Sequence, residues 1–331
     1  MIIPVLLFLL DLLFLIKGGD WFVDGATGIA RRFHIPEIIV DATVVSIGTT
    51  LPEVMVSATS AVMGHGEIAY GNAIGSVICN TALVSALTLA ILPGKVDRKS
   101  FRTPVLFFFL AAAFYILNAY LFGGFARWSG IVLLLIFAVY MILTIRQGLS
   151  GAGNDALDGE GGKEDEKPIE PVRAHPLWLD LVLLIVGAAF IAVGADLLVD
   201  NGTKIAGALG VPESVIALTF VALGTSLPEL VTAITSLAKG HGALSLGNVV
   251  GANLFNLVLV SGMAITLNPF ELPAGKTVAG MNASLVVDVP VMIAVMCVLT
   301  LPALVAGKMK RWQGILLLAV YAAFCVFQFA G

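Results

Sequence analysis

Long apolar runs, separated by short clusters of charged residues, glycine and proline, dominate the hydrophobic pattern of the chain. Most runs contain about 20 residues or more, the length with which an α-helix crosses roughly 30 Å of hydrocarbon. The runs are continuous rather than alternating, which favours helices over the strands of a membrane β-barrel. They predict ten spans, at approximately 3–30, 36–63, 68–91, 104–122, 128–147, 177–203, 212–239, 244–267, 284–305 and 311–330.

The composition supports a membrane protein. Hydrophobic residues make up 59% of the 331 residues and charged residues only 12%, compared with about 25% charged residues in ordinary soluble domains. The first run lacks the basic start and the cleavage site of a signal peptide and contains Asp11, so we interpret it as the first span. We therefore predict an all-α membrane protein surrounded by the lipid bilayer. The net charge of −4 lies mostly in loops, so nucleic acid is not a credible partner, and no obligate protein partner is evident.

One polar segment interrupts the apolar runs between the fifth and sixth spans. It reads "GLSGAGNDALDGEGGKEDEKPIEPVR" and covers residues 148–173. Segments rich in glycine and acid and poor in aromatic residues remain flexible, because they cannot bury enough apolar surface to fold. We predict an acidic linker that joins two membrane units, 1–147 and 174–331.

Basic residues are distributed unevenly among the loops. If each loop takes the number of the span before it, the odd loops carry fourteen Lys and Arg residues and the even loops carry three. Loops rich in Lys and Arg stay in the cytoplasm. We predict a multi-pass protein of the plasma (inner) membrane with both termini outside and the linker 148–173 in the cytoplasm.

The two membrane units share an internal repeat. Residues 18–84 align with 194–260 without a gap, giving 27 identities in 67 positions. Each unit holds five predicted spans, and an odd number of spans turns the second unit upside down relative to the first. Inverted repeats of this kind build many secondary transporters, whose substrate site lies at mid-membrane between the repeats. We predict two inverted five-helix repeats, with repeat motifs at 43–84 and 219–260.

The repeat places a carboxylic acid in the middle of an apolar run twice. "GTTLPE" ends at Glu53 and "GTSLPE" ends at Glu229, near the centres of the second and seventh spans. A charge at the bilayer midplane costs a few kcal/mol, so such a residue is a functional hypothesis by default. Pro52 and Pro228 have no N–H to donate, which frees a backbone carbonyl one turn earlier. Freed carbonyls at this depth need a cavity or a partner.

Further oxygen atoms are predicted at the same depth. Hydroxyl groups precede each acid by one turn. Three positions spaced i, i+4 and i+8 in the third and eighth spans, the first and last of them amides, lie on one helix face. The hydroxyl residues are Thr49, Thr50, Thr225 and Ser226, and the helix faces carry Asn72, Ser76 and Asn80 in one half and Asn248, Ala252 and Asn256 in the other. A site made only of oxygen ligands, with two acids, suits Ca²⁺, which takes about 6–8 oxygens. Transition metals would recruit imidazole or thiolate. The same acids can hold Na⁺ or H⁺, so one site can exchange a divalent ion for monovalent ions.

These motifs resemble those of the cation/Ca²⁺ exchanger superfamily, in particular the prokaryotic type of the Na⁺/Ca²⁺ exchanger branch. The resemblance rests on "GTTLPE" with "GNAIGSVICN" and on "GTSLPE" with "GNVVGANLFN". It implies a ten-helix fold with four central ion sites and no cofactor, in which the first and sixth spans slide as a pair. It implies shared Ca²⁺ and Na⁺ ligands at Glu53 and Glu229, assisted by Thr49, Thr50, Ser76, Asn80, Thr225, Ser226 and Asn256 and by main-chain carbonyls near Ser46 and Ala222.

The chain departs from this family pattern in its second repeat. Ala252 stands where the family often has a hydroxyl residue, and Asn256 stands where it often has Asp. The "GNxxE" signature of H⁺/Ca²⁺ exchangers is absent, which favours Na⁺ as the coupling ion. We therefore expect a secondary active antiporter that exchanges Ca²⁺ for Na⁺ by alternating access. An H⁺-coupled Ca²⁺ antiporter on the same fold and a passive cation channel are the alternatives.

The sequence does not decide the roles of several other polar residues. Neither a GxGD nor a GxSG element lies inside a predicted span, so we expect no enzyme. Asn72 and Asn248 suit an ion ligand as well as a contact between helices. The sequence allows two interpretations of four further acids, which either lie at helix ends or line a cation path: Asp20, Asp24, Asp196 and Asp200.

Overall fold

The computed structural model describes residues 2–32, 46–94, 96, 98–155, 176–238 and 242–330. Nearly all of this part of the chain is helical. The α-helices are α1 (Ile2–Arg32), α2 (Ser46–Thr49), α3 (Leu51–Val62), α4 (Gly66–Cys79), α5 (Ala86–Ile91), α6 (Arg98–Phe122), α7 (Arg127–Asp155), α8 (Leu177–Leu209), α9 (Glu213–Ile216), α10 (Ala222–Thr225), α11 (Leu227–Ala238), α12 (Gly242–Phe255), α13 (Ser261–Leu267), α14 (Val289–Ala306) and α15 (Arg311–Phe329). Four π-helices (Asn80–Ser85, Ala217–Val221, Asn256–Val260 and Ser284–Asp288) and four short strands, β1 (Gly124–Phe125), β2 (Phe270–Glu271), β3 (Thr277–Val278) and β4 (Met281–Asn282), complete the order.

Helices long and apolar enough to cross a membrane are a main feature of the fold. Seven such helices occur among the described residues, at Gly66–Ile91, Phe101–Phe122, Arg127–Gln147, Leu177–Leu209, Val249–Leu267, Ser284–Ala306 and Arg311–Phe329. Each coincides with a predicted span, and large apolar side chains are exposed along the outer helices. The expectation of a helical, multi-pass membrane protein is confirmed.

The second and seventh predicted spans contain breaks at matched positions. Helix α2 gives way to α3 at Thr50 (φ −88°, ψ −1°), and α10 gives way to α11 at Ser226 (φ −85°, ψ 7°). Both breaks occur two residues before a proline that lacks the N–H needed to continue the α-helical hydrogen-bond ladder. The bends that the sequence predicts are therefore present, and they explain why these spans appear as shorter helices. Residues 33–45, which include the predicted start of the second span, lie outside the described residues.

Helices α1 and α8 form a long antiparallel pair. Gly18 of α1 faces Gly187 of α8, whereas Gly25, two turns further on, faces Asp180, which lies nearer the start of α8. A Cβ atom at Gly187 would lie only 2.5 Å from the main-chain nitrogen of Phe22. The two backbones approach this closely because glycine offers no side chain at the contact.

Polar contacts secure both halves of this helix pair. Arg32 Nε lies 3.2 Å from Asp180 Oδ2, and the Asp180 side chain is buried. Asn201 donates a hydrogen bond of 2.7 Å from Nδ2 to Asp11 Oδ2, and both side chains are buried. These bonds and the glycine contacts make α1 and α8 one packing unit, which rests on α3 and α9.

The loops group into two sets at opposite ends of the helices. At one end β1 pairs with β2, Asn268 donates to the carbonyl of Ala61 at 2.6 Å, and His65 Nδ1 lies 2.9 Å from Glu213. At the other end the main chains of Val96 and Gly307 are hydrogen bonded at 3.1 Å. The first set belongs to the even loops and the second to the odd loops of the sequence map.

The large hydrophobic core lies among α4 to α7 and α12 to α15, with Phe108, Tyr115 and Leu254 buried inside it. This core packs α4 and the π-helix that follows it against helices of the second half. Helix α7 continues to Asp155, so the first residues of the predicted linker extend this helix. Residues 156–173 of the linker lie outside the described residues.

Candidate ion-binding site

Two acids occupy equivalent places in the two broken spans. Glu53 is the third residue of α3 and Glu229 is the third residue of α11, each directly after its proline. The two carboxyl groups lie within electrostatic range of each other. Each acid also lies in the first turn of a helix, where the helix dipole favours negative charge.

The carboxylate oxygens of these acids are short of partners within the described residues. Neither oxygen of Glu53 has a hydrogen-bond partner, and Oε2 of Glu229 has none. Glu53 is fully buried. A buried carboxylate without a partner is strongly unfavourable, so this pair of acids favours a bound cation or a proton.

Hydroxyl groups lie at the breaks themselves. Thr50 and Ser226 are the break residues, and both are buried. The Ser226 hydroxyl has no hydrogen-bond partner in the described residues. Thr225 is also buried, and its hydroxyl lies 3.1 Å from the Val221 carbonyl. The backbone of Ser46 and Thr49 belongs to α2, and their side chains lie outside the described part of the chain.

Helix α4 brings a second group of oxygen atoms against the other half of the molecule. A Cβ atom at Gly75 would lie 2.7 Å from the Ala222 side chain and from the Leu218 carbonyl, so α4 touches α10 at this point. Ser76 is therefore next to a contact between the repeats. Its hydroxyl and both amide atoms of Asn80 are buried without a partner in the described residues.

Asn256 occupies the corresponding place in the second half. Its side-chain oxygen is buried without a partner among the described residues. Its main-chain carbonyl accepts hydrogen bonds from the backbone N–H and the hydroxyl of Ser261. The side chain of Asn256, rather than its carbonyl, is thus the group available to an ion. The side chain of Asn248 lies outside the described residues.

The main-chain carbonyl of Ala222 is partly used within the protein. It accepts the N–H of Ser226 at 3.1 Å, and the Thr225 hydroxyl lies 3.4 Å away. A carbonyl oxygen has two lone pairs. One lone pair is therefore free for an ion only when the Thr225 hydroxyl donates its proton elsewhere.

Two features near these residues have no clear signal in the sequence. Asn80 and Asn256 each begin a π-helix, a rare form that concentrates at functional sites. Asn253 is buried and donates from Nδ2 to Thr81 Oγ1 at 2.8 Å and to the sulfur of Met296 at 3.2 Å. The repeat alignment concealed Asn253, because Val77 stands at the matching position in the first half.

The acids of α1 and α8 that the sequence left open lie on exposed helix faces. Asp20 pairs with Lys17 at 3.1 Å, and Asp200 pairs with Lys204. Asp196 is also exposed. These carboxylates are therefore exposed, unlike the carboxylate of Glu53, which is fully buried.

Comparison with known proteins decides the family of this chain. A family profile described as sodium/calcium exchanger protein matches residues 3–146 and 179–330. The chain belongs to the sodium/calcium exchanger protein family. The family expected from the repeat motifs is confirmed.

Relatives and solved structures cover almost the whole chain. An uncharacterized membrane protein of Methanocaldococcus jannaschii is 37% identical over 324 residues, which cover 97% of this chain and 96% of the relative. Sodium/calcium exchanger MaX1 of Methanosarcina acetivorans is 32% identical and covers 98% of both chains. A structure of the sodium-calcium exchanger NCX_Mj, soaked with 100 mM Na⁺ and 10 mM Sr²⁺, matches with a TM-score of 0.61 and 34% identity over 97% of each chain.

Proposed function

We propose that this protein is a secondary active antiporter that exchanges Ca²⁺ for Na⁺ across the membrane. The observation that carries the proposal is the pair of acids at matched helix breaks, in which both oxygens of Glu53 and Oε2 of Glu229 are buried without a partner in the described residues. Membership of the sodium/calcium exchanger family supports the same conclusion. Related proteins that carry sodium/calcium exchange in their names cover nearly the full chain.

The proposed ligands are oxygen atoms from both repeats. Glu53 and Glu229 would be shared by Ca²⁺ and Na⁺, with assistance from Thr49, Thr50, Ser76, Asn80, Thr225, Ser226 and Asn256 and from carbonyls near Ser46 and Ala222. Two carboxylates neutralise one Ca²⁺, and the flexible oxygen geometry of that ion suits a site assembled from four helices. Because the two acids are shared, Ca²⁺ and Na⁺ cannot fill the site together. Mutual exclusion of this kind couples the movement of one ion to the counter-movement of the other.

We further propose ten spans in two inverted five-helix repeats, 1–147 and 174–331. The matched breaks at Thr50 and Ser226 and the matched π-helices at Asn80 and Asn256 support this arrangement. In an inverted repeat the two halves can exchange conformations, which opens the site first to one side and then to the other. The tightly packed pair α1 and α8 is the natural unit to move against the core, since it rests on α3 and α9 as one body.

The proposed orientation has both termini outside and the linker 148–173 in the cytoplasm. The excess of Lys and Arg in the odd loops supports it. We would replace Cys79, Cys297 and Cys325 with Ala and introduce one cysteine at a time as Glu271→Cys or Lys163→Cys. An impermeant maleimide should label position 271 in intact cells and position 163 only after permeabilisation. The reverse pattern would overturn the orientation.

Transport in vesicles tests the coupling ion. Purified protein in liposomes loaded with Na⁺ should take up ⁴⁵Ca²⁺ when diluted into Na⁺-free buffer, and uptake should stop when Na⁺ is equal on both sides. Uptake driven by a pH gradient in the absence of Na⁺ would favour the H⁺-coupled antiporter. Ca²⁺ flux that depends on neither Na⁺ nor H⁺ would favour a channel.

A further inference from the structure

Asn72 of α4 uses nearly all of its hydrogen-bonding capacity inside the protein. A side-chain amide offers two N–H donors and one oxygen acceptor. Nδ2 of Asn72 donates to the main-chain oxygen of Glu53 at 3.1 Å and to the hydroxyl of Ser57 at 2.9 Å. Its Oδ1 accepts a hydrogen bond of 3.2 Å from the Thr225 hydroxyl. Asn72 is fully buried, so it is poorly suited to surrender these bonds to become an ion ligand.

These bonds connect the two helices that carry the acids. Glu53 and Ser57 lie on α3 in the first half, whereas Thr225 ends α10 in the second half, one turn before Glu229. Asn72 therefore joins the backbone of one acid to the turn that precedes the other. A shift of either helix would change the hydrogen bonds that this side chain makes to the other helix.

The Thr225 hydroxyl has a choice of acceptors but only one proton. Three oxygens lie within reach, namely Asn72 Oδ1 at 3.2 Å, the Val221 carbonyl at 3.1 Å and the Ala222 carbonyl at 3.4 Å. The Ala222 carbonyl already accepts the N–H of Ser226. If Thr225 donates to Ala222, both lone pairs of that carbonyl are used. If Thr225 donates to Asn72, one lone pair of Ala222 becomes available.

We propose that Asn72 is a positioning residue of the ion site rather than a ligand. Its Nδ2 holds the backbone of Glu53 through a hydrogen bond. Its Oδ1 accepts a hydrogen bond from the Thr225 hydroxyl when a cation occupies the oxygens of Thr225 and Ala222. This inference rests on the proposed function, because it assumes that cations bind at these oxygens. It resolves the choice that the sequence left open for Asn72 between an ion ligand and a contact between helices.

A double-mutant cycle tests the inference through ion affinity. The single variants are Asn72→Leu and Thr225→Val, each close in volume to the original residue, and the third variant combines them. Affinity is measured by the Na⁺ or Ca²⁺ concentration that half-maximally raises the Tm of the purified protein, and by the KM for Ca²⁺ in vesicles. Loss of one hydrogen bond of about 1 kcal/mol corresponds to a roughly five-fold weaker affinity. The double variant should lose clearly less than the product of the two single factors, because Asn72 acts partly through Thr225.

Additive behaviour would overturn the proposal. If the two factors multiply, or if Asn72→Leu alone abolishes ion binding while the protein folds, Asn72 acts independently or as a ligand. Asn118→Leu is the matched control, since Asn118 is a buried amide whose one donated hydrogen bond among the described residues goes to the carbonyl of Phe114 in its own helix. Its ion affinity should equal that of the wild type. If Asn72→Leu does not fold, Asn72→Ala removes the amide without adding bulk and enters the same cycle.

The experiment separates this inference from the proposed function. A wild-type protein whose Tm responds to neither Na⁺ nor Ca²⁺, and which carries no Ca²⁺ flux, would overturn the exchanger proposal and this inference together. A wild-type protein that binds and transports, combined with multiplying factors in the cycle, would overturn the inference alone.

Discussion

Asn80 and Asn256 each stand at the first residue of a π-helix, at positions that the internal repeat makes equivalent. A π-helix contains more residues per turn than an α-helix, so it alters the direction of the side chains around it. Both asparagines have a side-chain oxygen that is buried without a partner among the described residues. The two halves thus share the same local distortion, and in each half it begins at an amide whose oxygen has no partner in the described residues.

This relationship predicts different results for two buried asparagines only three residues apart. Asn256→Ala should weaken Ca²⁺ affinity by about ten-fold with little effect on folding, because its amide oxygen has no internal hydrogen bond to lose. Asn253→Ala should lower the Tm, because it removes the hydrogen bonds from Nδ2 to Thr81 and Met296. It should keep the affinity, because the first repeat has Val77 and no amide at the equivalent position. Hydrogen bonds between membrane helices average roughly 0.6 kcal/mol, with a maximum near 1.7 kcal/mol. Ion-dependent Tm measurements report both quantities, and equal affinities for the two variants would contradict the assignment of Asn256.

The helix breaks predict that a variant with a continuous helix is more stable but transports Ca²⁺ more slowly. Pro52→Ala restores an N–H that can donate to the Gly48 carbonyl and so favours a continuous helix through Thr50. We expect a higher Tm and a Ca²⁺ flux reduced at least ten-fold, because the break positions Thr50 and Glu53. Pro290→Ala, in a helix outside the site, serves as the control and should retain the flux. A Pro52→Ala protein with wild-type flux would show that the break is dispensable.

Close packing of α1 on α8 predicts a sharp dependence on the size of one side chain. Gly187→Val should reduce folded protein severely, because even a Cβ atom there would lie 2.5 Å from the Phe22 nitrogen. Gly207→Ala in the same helix has nothing within 4 Å of the added atom, and it should be neutral or stabilising by about 0.5–1 kcal/mol through helix propensity. Yield and Tm after purification check both variants. Normal yield and Tm for Gly187→Val would contradict the close contact.

Much of the fold could be predicted because the membrane simplifies the sequence signal. Apolar length alone locates the helices, and the ends of the seven long helices lie within six residues of the predicted spans. Glu53 and Glu229 stand out for the same reason, since an acid inside an apolar run needs an explanation. The breaks at Thr50 and Ser226 follow from the chemistry of the prolines that come after them.

Contacts between distant segments could not be predicted in the same way. The residue types of Asn80–Ser85 do not mark this segment as a π-helix, because its conformation depends on how α4 packs against its neighbours. The bond from Asn253 to Thr81 joins residues 172 positions apart, and no local pattern encodes it. The sequence could not decide whether Asn72 is an ion ligand or a contact between helices, because its hydrogen-bond partners come from both repeats.

The central claim is that Glu53 and Glu229 together form one cation site shared by Ca²⁺ and Na⁺. The most direct measurement is Na⁺-driven ⁴⁵Ca²⁺ uptake by liposomes containing Glu53→Gln or Glu229→Gln, with Glu271→Gln in the exposed β2 strand as the control. Glutamine preserves the shape of each side chain but removes its charge, so each site variant should insert normally and show no uptake, while the control transports like the wild type. Uptake at the wild-type rate by either site variant would contradict the account.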